Sequence, residues 1–158
     1  DYSPALESRL AQGLELGRSF IAPAYWRSRA LDQLWQGIGL YLQRHPELRY
    51  LFGPVSMSMS LPREAREWIA AAHQHYFGAP GLAAARQPFV VSPDVVQGVR
   101  TALEGLDAVA GLGKLKHHLD ALGVSMPVLY RQYVDLVEPA GVANLKPAKR
   151  ARYLSKRE

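Results

Sequence analysis

The 158-residue sequence predicts an α/β fold, and three observations support this class. Two apolar segments with the composition of strands occupy residues 14–22 and 49–58. The segment between them has the periodicity of an amphipathic helix, and helical patterns dominate the chain from residue 62 onward. A strand, a helix and a second strand in one sheet imply a parallel pair joined by a right-handed crossover.

The helix between the two strands is predicted over residues 29–43 and ends before Pro46. Gly37 and Gly39 lie inside it, where each costs about 1 kcal/mol relative to alanine. Glycines in such positions allow a neighbouring element to approach closely. The apolar side chains recur at the spacing of one helical face: Leu31, Leu34, Trp35, Ile38 and Leu42.

The second strand, RYLFGPVSMS, contains Gly53 and Pro54, which indicate a bulge or an opening at the sheet edge. Two strands form too small a sheet to support this much helix. We therefore expect N-terminal strands of the sheet before Asp1, or a sequence that joins pieces of a longer chain across gaps.

Four further helices are predicted, and their apolar residues recur at helical spacing. The first begins near Pro62. The second begins at Ser92, where the sequence SPD supplies an N-cap, a first-turn proline and an acid near the positive end of the helix dipole. The third carries four leucines and ends at Gly123, and the fourth begins at Ser125.

Composition excludes several classes of protein. Apolar residues make up 48% and charged residues 21%, which is typical of a globular domain. The chain has no cysteine, so it forms no disulfide and no thiolate metal site. No apolar run reaches the roughly 18 residues of a membrane span, and residues 1–9 lack the apolar core of a signal peptide. We expect a cytoplasmic protein.

The net charge of +5 resides in residues 146–158, and the rest of the chain is balanced. Such a basic tail contacts an anionic membrane surface or an acidic protein, or it is a solvated chain end, and the sequence leaves these alternatives open. Peripheral contact with the inner membrane face is therefore one expectation. Basic and aromatic residues are not interleaved in the body of the chain, so we expect no nucleic-acid partner.

The histidines do not form a metal-binding pattern. None has ligand spacing to a carboxylate, so we predict no metal site. We interpret His45 and His73 as surface residues. His45 or His73 as a general base is the alternative. No nucleophile elbow or nucleotide-binding glycine motif occurs, and the segment from Gly111 to Lys114 lacks the length and the preceding strand of a phosphate loop.

Two charged residues interrupt the first apolar segment, Glu15 and Arg18. On a regular strand, residues three apart point to opposite faces, so these two side chains would not pair with each other without a bulge. Buried charges are costly unless they have partners. The pair is therefore either a structural device at a strand edge or part of a functional site.

The segment ELGRSFIAPAYW from Glu15, followed by LWQGIGLYLQRHPELRYLFGPVSMS, resembles GNAT-like acyltransferases that use acyl carrier protein thioesters. Within that superfamily it looks like the ornithine lipid N-acyltransferases, which also carry a hemolysin label, and it is distantly similar to acyl-homoserine-lactone synthases. The resemblance implies a mixed sheet with splayed central parallel strands plus a helical insertion. It implies a partial acyltransferase domain over residues 1–142 and a basic tail over residues 143–158.

The same resemblance implies a site along the first strand and the start of the following helix. Glu15 and Arg18 would be catalytic: Glu15 would bind the acceptor amine or take its proton, and Arg18 would orient substrate. The implied residues that bind the pantetheine arm and substrate are Ser19, Phe20, Ile21, Arg27, Arg29 and Ser56.

One departure from the superfamily pattern bears on the donor. Acetyl-CoA enzymes of this kind carry two small residues at the helix start, where backbone N–H groups hold a pyrophosphate. Here Ala30 and Asp32 occupy the corresponding positions. A carboxylate facing pyrophosphate is unfavourable, whereas Arg27 and Arg29 suit the single phosphate of a carrier-bound pantetheine. We therefore expect no permanently bound cofactor and the acyl-phosphopantetheine of acyl carrier protein as donor.

The implied function is transfer of a fatty or 3-hydroxy acyl group from acyl carrier protein to the α-amine of an amino acid such as ornithine, in lipid biosynthesis. The alternative is a non-catalytic domain of degenerate GNAT fold that binds a carrier protein or a membrane. Acidic carrier proteins would suit the arginines of this region, although arginines are equally common on ordinary solvated surfaces.

Overall fold

The computed structural model describes residues 1–17, 20–128 and 130. These residues form two compact units. The strand unit comprises the described residues from Pro4 to Pro54, and the helical unit comprises residues 1–3 together with those described from Val55 onward. The α/β class predicted from the sequence is confirmed, with five helices and a small parallel sheet in the described chain.

The strand unit contains α1 (Pro4–Leu10), β1 (Gly13–Glu15), α2 (Ala30–Arg44) and β2 (Tyr50–Phe52). The two strands pair in parallel, with Gly13 opposite Tyr50 and Glu15 opposite Phe52. The parallel pair and the connecting helix predicted from the sequence are therefore confirmed. Helix α1 has no counterpart in the sequence prediction. Four apolar side chains of the unit are buried: Leu16, Trp35, Leu42 and Leu51.

Both strands are shorter than predicted. The Leu16 N–H donates to the Phe52 carbonyl at 2.7 Å, and the described ladder ends there. A Cβ on Gly53 would lie 2.5 Å from the Leu16 carbonyl oxygen, so glycine is required at this crossing. Pro54 has no N–H with which to extend the ladder. For the described residues after Leu16 and Phe52, the predictions of strands over 14–22 and 49–58 are consequently wrong.

The helical unit contains α3 (Arg63–Phe77), α4 (Pro93–Leu103) and α5 (Ala108–Ala121). These three helices confirm the sequence predictions, whereas most of the helix predicted from Ser125 lies outside the described residues. Small and branched residues form the core of the unit: Ala65, Ile69, Ala71, Ala72, Val99, Leu103, Leu115, Leu119 and Val124.

A buried carboxylate joins α3 to the start of α4. Glu67 is only 4% exposed, and its two oxygens accept hydrogen bonds from Arg63 Nε at 2.7 Å and Ser92 Oγ at 2.8 Å. Ser92 is the N-cap residue of α4, but its hydroxyl makes no capping bond to that helix. The predicted capping role of the Ser92 side chain is therefore wrong, because the hydroxyl serves the carboxylate instead.

Helix α5 approaches α3 closely at Gly111. The space where a Cβ would lie on Gly111 is filled by the Tyr76 side chain, whose hydroxyl donates to the Leu106 carbonyl at 3.3 Å. Gly113, two residues further along α5, faces open space. The two glycines of this stretch thus lie within a helix, and Gly111 is required for packing.

Gly111→Ala and Gly113→Ala form a matched pair for measuring this contact. Each alanine gains about 1 kcal/mol of helix propensity, but at position 111 the added methyl displaces Tyr76 at a cost of about 1–3 kcal/mol. We expect urea unfolding to show Gly113→Ala as stabilised and Gly111→Ala as less stable than Gly113→Ala by about 1–3 kcal/mol. Equal stability of the two variants would contradict the packing role of Gly111.

The Glu67 carboxylate should make the helical unit sensitive to acid. The hydrogen bonds from Ser92 and then from Arg63 lower the pKa of Glu67 below its ordinary value of 4.5. A lowered folded-state pKa contributes stability that is present above pH 4.5 and is lost as the pH falls through the folded value. Glu67→Gln removes this titration.

We therefore expect the stability difference between wild type and Glu67→Gln to shrink as the pH falls from about 6 to about 3. Ser92→Ala, which removes the larger cause of the shift and keeps the carboxylate, should show an intermediate pH dependence. Urea unfolding at a series of pH values measures both. A Glu67→Gln variant with the same acid dependence as wild type would refute the assignment.

Candidate functional site

The candidate site lies in the strand unit, where β1 and β2 end and the chain turns into α2. Ligands of α/β proteins bind outside the carboxyl ends of parallel strands, and this is such an edge. Glu15 is the last residue of β1 and is exposed. A Cβ on Gly17 would lie 3.6 Å from Glu15 Oε1, so the carboxylate rests beside the Gly17 backbone. The edge thus presents an accessible carboxylate.

The turn between β1 and α2 is closed by local hydrogen bonds. The Trp26 indole N–H donates to the Ile21 carbonyl at 2.7 Å, across a short 3-10 turn at Pro23–Tyr25. The ring of Trp26 remains 67% exposed, and Phe20 is 80% exposed. A turn that is fixed by hydrogen bonds therefore displays aromatic side chains to solvent beside the strand ends.

Arg27 has a left-handed backbone with a φ of 61°, the one described non-glycine residue with positive φ. This conformation costs a side-chain-bearing residue about 1–2 kcal/mol and is concentrated at functional sites. Ser28 follows, and its hydroxyl donates to the Tyr25 carbonyl at 2.6 Å and accepts from the Ala30 N–H at 3.1 Å. The local network thus holds Arg27 in place.

The first turn of α2 offers few free backbone N–H groups to a phosphate. Ser28 already binds the Ala30 N–H, and the Arg29 carbonyl accepts from the Gln33 N–H at 3.0 Å. Asp32 adds a carboxylate in the same turn. This carboxylate interacts favourably with the positive end of the helix dipole, and it repels a bound anion such as phosphate. The Arg27 and Arg29 side chains are exposed and form no ion pair within the described chain.

The structure brings several predicted site residues into one stretch of the strand unit, namely Glu15, Phe20, Ile21, Arg27 and Arg29. The Ile21 carbonyl is already bound by Trp26. The predicted residues Arg18 and Ser19 lie outside the described residues, so their roles stay predictions.

Ser56 does not have the position predicted for it. It was expected on the second strand, but β2 ends at Phe52 and Ser56 is an exposed residue of the helical unit. The physical reason is the break at Gly53 and Pro54, which stops strand pairing before Ser56 is reached.

His73 is more enclosed than the predicted surface histidine. Its Nδ1 lies 2.8 Å from the Ile69 carbonyl, and its ring meets Tyr130 edge-on at 5.0 Å. Burial lowers the pKa of His73, so the neutral imidazole is favoured. Since Nδ1–H donates to a carbonyl, Nε2 carries the lone pair, and that atom is buried without a hydrogen-bond partner in the described chain. The prediction of a surface position for His73 is wrong.

A second candidate region lies in the helical unit, where a cleft is lined by residues of α3 and α4. The residue that distinguishes it is Arg100, which belongs to no recognised sequence motif. The sequence carries no distinct signal for it, because Arg100 is an exposed residue in the last turn of α4, where a cation commonly interacts favourably with the helix dipole.

Residues 1–17, 20–128 and 130 contain no group of three histidine, aspartate or glutamate side chains arranged to hold a metal ion. No helix among those residues is both long and apolar enough to cross a membrane.

Comparison with known proteins places the first candidate site inside a recognised segment. Residues 1–36 match the family model described as an acetyltransferase (GNAT) domain. That match covers α1, β1, the turn and the beginning of α2, and so includes Glu15, Arg27 and Arg29. No solved structure matches the chain significantly.

Two curated proteins are similar over most of the chain. A glycine N(alpha)-acyltransferase of Phocaeicola vulgatus is 29% identical over an alignment 143 positions long, which covers 83% of this chain and 42% of that protein. A glycine N(alpha)-acyltransferase of Bacteroides thetaiotaomicron is 28% identical over an alignment 139 positions long, which covers 83% of this chain and 41% of that protein. The chain thus spans about two fifths of the length of these relatives. The matches support a GNAT-like N-acyltransferase.

The left-handed backbone of Arg27 yields a prediction about the stability of the protein. Arg27→Gly removes the left-handed strain and should leave the protein as stable as wild type or more stable by up to about 1 kcal/mol. Arg44→Gly, at the end of α2, is the matched control and should destabilise by about 0.5–1 kcal/mol. Urea unfolding checks both. Destabilisation of Arg27→Gly by more than the control would show that its side chain stabilises the fold.

Proposed function

We propose that this chain is an N-acyltransferase domain that moves an acyl group from a thioester to the α-amine of an amino acid. The observation that carries the proposal is the coincidence of three features in residues 1–36: the GNAT match, the exposed Glu15 at the end of a parallel strand and the strained Arg27 before α2. The two glycine N(alpha)-acyltransferases that resemble the chain support the same class of reaction.

The proposed reaction forms one amide bond and breaks one thioester bond. The neutral amine nitrogen attacks the thioester carbonyl carbon, and a tetrahedral oxyanion forms. The attached nitrogen, which carries a positive charge after the attack, then loses a proton, the oxyanion re-forms the carbonyl, and the carbon–sulfur bond breaks. The leaving thiolate takes up that proton to give the free thiol. Backbone N–H groups near the strand end would stabilise the oxyanion. The protein must also remove one proton from the acceptor, which is an ammonium ion at neutral pH.

Glu15 is the residue proposed to bind and deprotonate the acceptor amine. Its exposed carboxylate at the strand end can accept hydrogen bonds from an ammonium group and receive or relay its proton. Arg18 is proposed to orient the substrate, on the sequence motif alone. The aromatic side chains of Phe20 and Trp26 give the same edge an apolar surface suited to a pantetheine arm or the start of an acyl chain.

The proposed donor is acyl-phosphopantetheine on acyl carrier protein. Asp32 and the occupied N–H groups at the start of α2 disfavour a pyrophosphate, whereas Arg27 and Arg29 are available for one phosphate. Carrier proteins are acidic, and basic side chains would also speed their encounter with the site.

Glycine and ornithine are the two acceptors to compare. The relatives are named for glycine, and the resemblance of the ELGR segment favours ornithine. Either product is an amphipathic N-acyl amino acid, and the proposed place of synthesis is the cytoplasmic face of the membrane. The basic residues 146–158, which would aid contact there, lie outside the described residues.

The activity test combines two donors with two acceptors. The full chain is incubated with acyl carrier protein or coenzyme A thioesters and with glycine or ornithine, and amide product is measured by mass spectrometry. We expect product with the carrier-protein donor and a preference for it over coenzyme A. Glu15→Gln should lower kcat/KM by about 100-fold or more, since a positioned proton acceptor contributes that much.

Glu7→Gln is the matched control, because Glu7 is an exposed carboxylate on α1. It should leave kcat/KM unchanged. Absence of any acylated amine would refute the enzyme and leave a module that binds carrier protein or membranes. Equal loss in both variants would refute the assigned role of Glu15.

A further inference from the structure

A cleft of about 480 Å³ lies within the helical unit, between α3, α4 and the segment that precedes α4. Small-molecule sites commonly have volumes of about 300–1,000 Å³, so the cleft is large enough for a ligand. Much of its lining is apolar: Ala70, Ala71, Val91, Val96 and Val99. Because two alanines occupy positions on α3 that larger side chains would fill, space remains beside α4.

The same cleft contains an unneutralised cation. Arg100 lines it from α4 together with His75 from α3, and the Arg100 side chain is exposed. No carboxylate of the described chain forms an ion pair with Arg100, and no hydrogen bond from its guanidinium occurs there. The cleft therefore combines an apolar surface with one free positive group.

One wall of the cleft is held in place before any ligand arrives. The Phe89 ring lines the cleft, and the Arg66 guanidinium lies 5.8 Å from its centroid in a cation–π arrangement. Arg66 also contacts the Met59 sulfur at 3.1 Å from Nη1. A ring that is already positioned loses less conformational entropy on binding, which favours an occupant.

We propose that this cleft binds an alkyl chain that ends in a carboxylate. The alkyl chain would lie on the alanines and valines, and the carboxylate would pair with Arg100. A neutral lipid would gain no attraction from Arg100, and a highly charged phosphate ligand would place more charge against the apolar walls than one guanidinium balances. A free fatty acid and an N-acyl amino acid share the required chemistry. The N-acyl amino acid as ligand rests on the proposed function, because an N-acyl amino acid is the product of that reaction.

Binding to the full chain tests the headgroup. The probes are dodecanoate, N-dodecanoylglycine, dodecanol and dodecyltrimethylammonium, each below its micelle concentration, and calorimetry measures their affinities. We expect the two carboxylates to bind more tightly than the alcohol, and the cation to bind least. Shortening the alkyl carboxylate from twelve to eight carbons should lower its affinity by up to about fourfold for each methylene removed. Equal affinity for all four headgroups would overturn the proposal.

Three variants locate the binding. Arg100→Gln should weaken both carboxylates by about three- to tenfold and leave dodecanol unchanged. Val96→Trp, at a position that is 40% exposed, should fill the cleft and weaken every probe. Lys114→Gln is the charge-matched control, since Lys114 is an exposed residue of α5 away from the cleft lining. Carboxylate affinity that Arg100→Gln leaves unchanged would overturn the proposal.

The outcome is separable from that of the proposed function. Binding of dodecanoate that depends on Arg100, in a chain without acyltransferase activity, would support the cleft and refute the enzyme. Preference for N-dodecanoylglycine over dodecanoate would identify the N-acyl amino acid as the ligand. Absence of binding by any probe would refute the cleft and leave the acyltransferase proposal standing.

Discussion

The short parallel ladder between β1 and β2 is the constraint on which the candidate acyltransferase site depends. Its last described bond joins the Leu16 N–H to the Phe52 carbonyl, and the crossing beyond it tolerates only Gly53. Because pairing stops there, the described residues that precede α2 form a turn instead of more strand. That turn carries the aromatic rings and Arg27, while Glu15 remains accessible at the strand end.

The helical unit depends on a different constraint, which is the burial of a carboxylate. Glu67 is almost fully enclosed, yet both of its oxygens have hydrogen-bond donors. Removing one donor from such a group is costly because the charge stays buried. Ser92 therefore fixes where α4 begins relative to α3, and so fixes the two helix faces that line the cleft containing Arg100.

The elements with strong periodicity were predictable from the sequence, and those set by long-range contacts were not. The apolar spacing from Leu31 to Leu42 and the SPD start at Ser92 located helices correctly. Strand ends depended on how closely Gly53 passes Leu16, which no local pattern encodes. Helix α1 is a seven-residue element, shorter than sequence periodicity can establish. Glu15 and Arg27 were found through a motif, whereas Arg100 needed the fold to show what surrounds it.

The hydrogen bonds of the turn before α2 have a consequence for the order of folding. Those from Trp26 to Ile21, from Ser28 to Tyr25 and from Ala30 to Ser28 link residues five or fewer positions apart. The bond from Ser92 to Glu67 closes a loop of 25 residues. Contacts between near neighbours in sequence form with little loss of chain entropy and hence early. The shape of the turn is therefore determined by a short local sequence. The turn can form before the core of the helical unit is assembled.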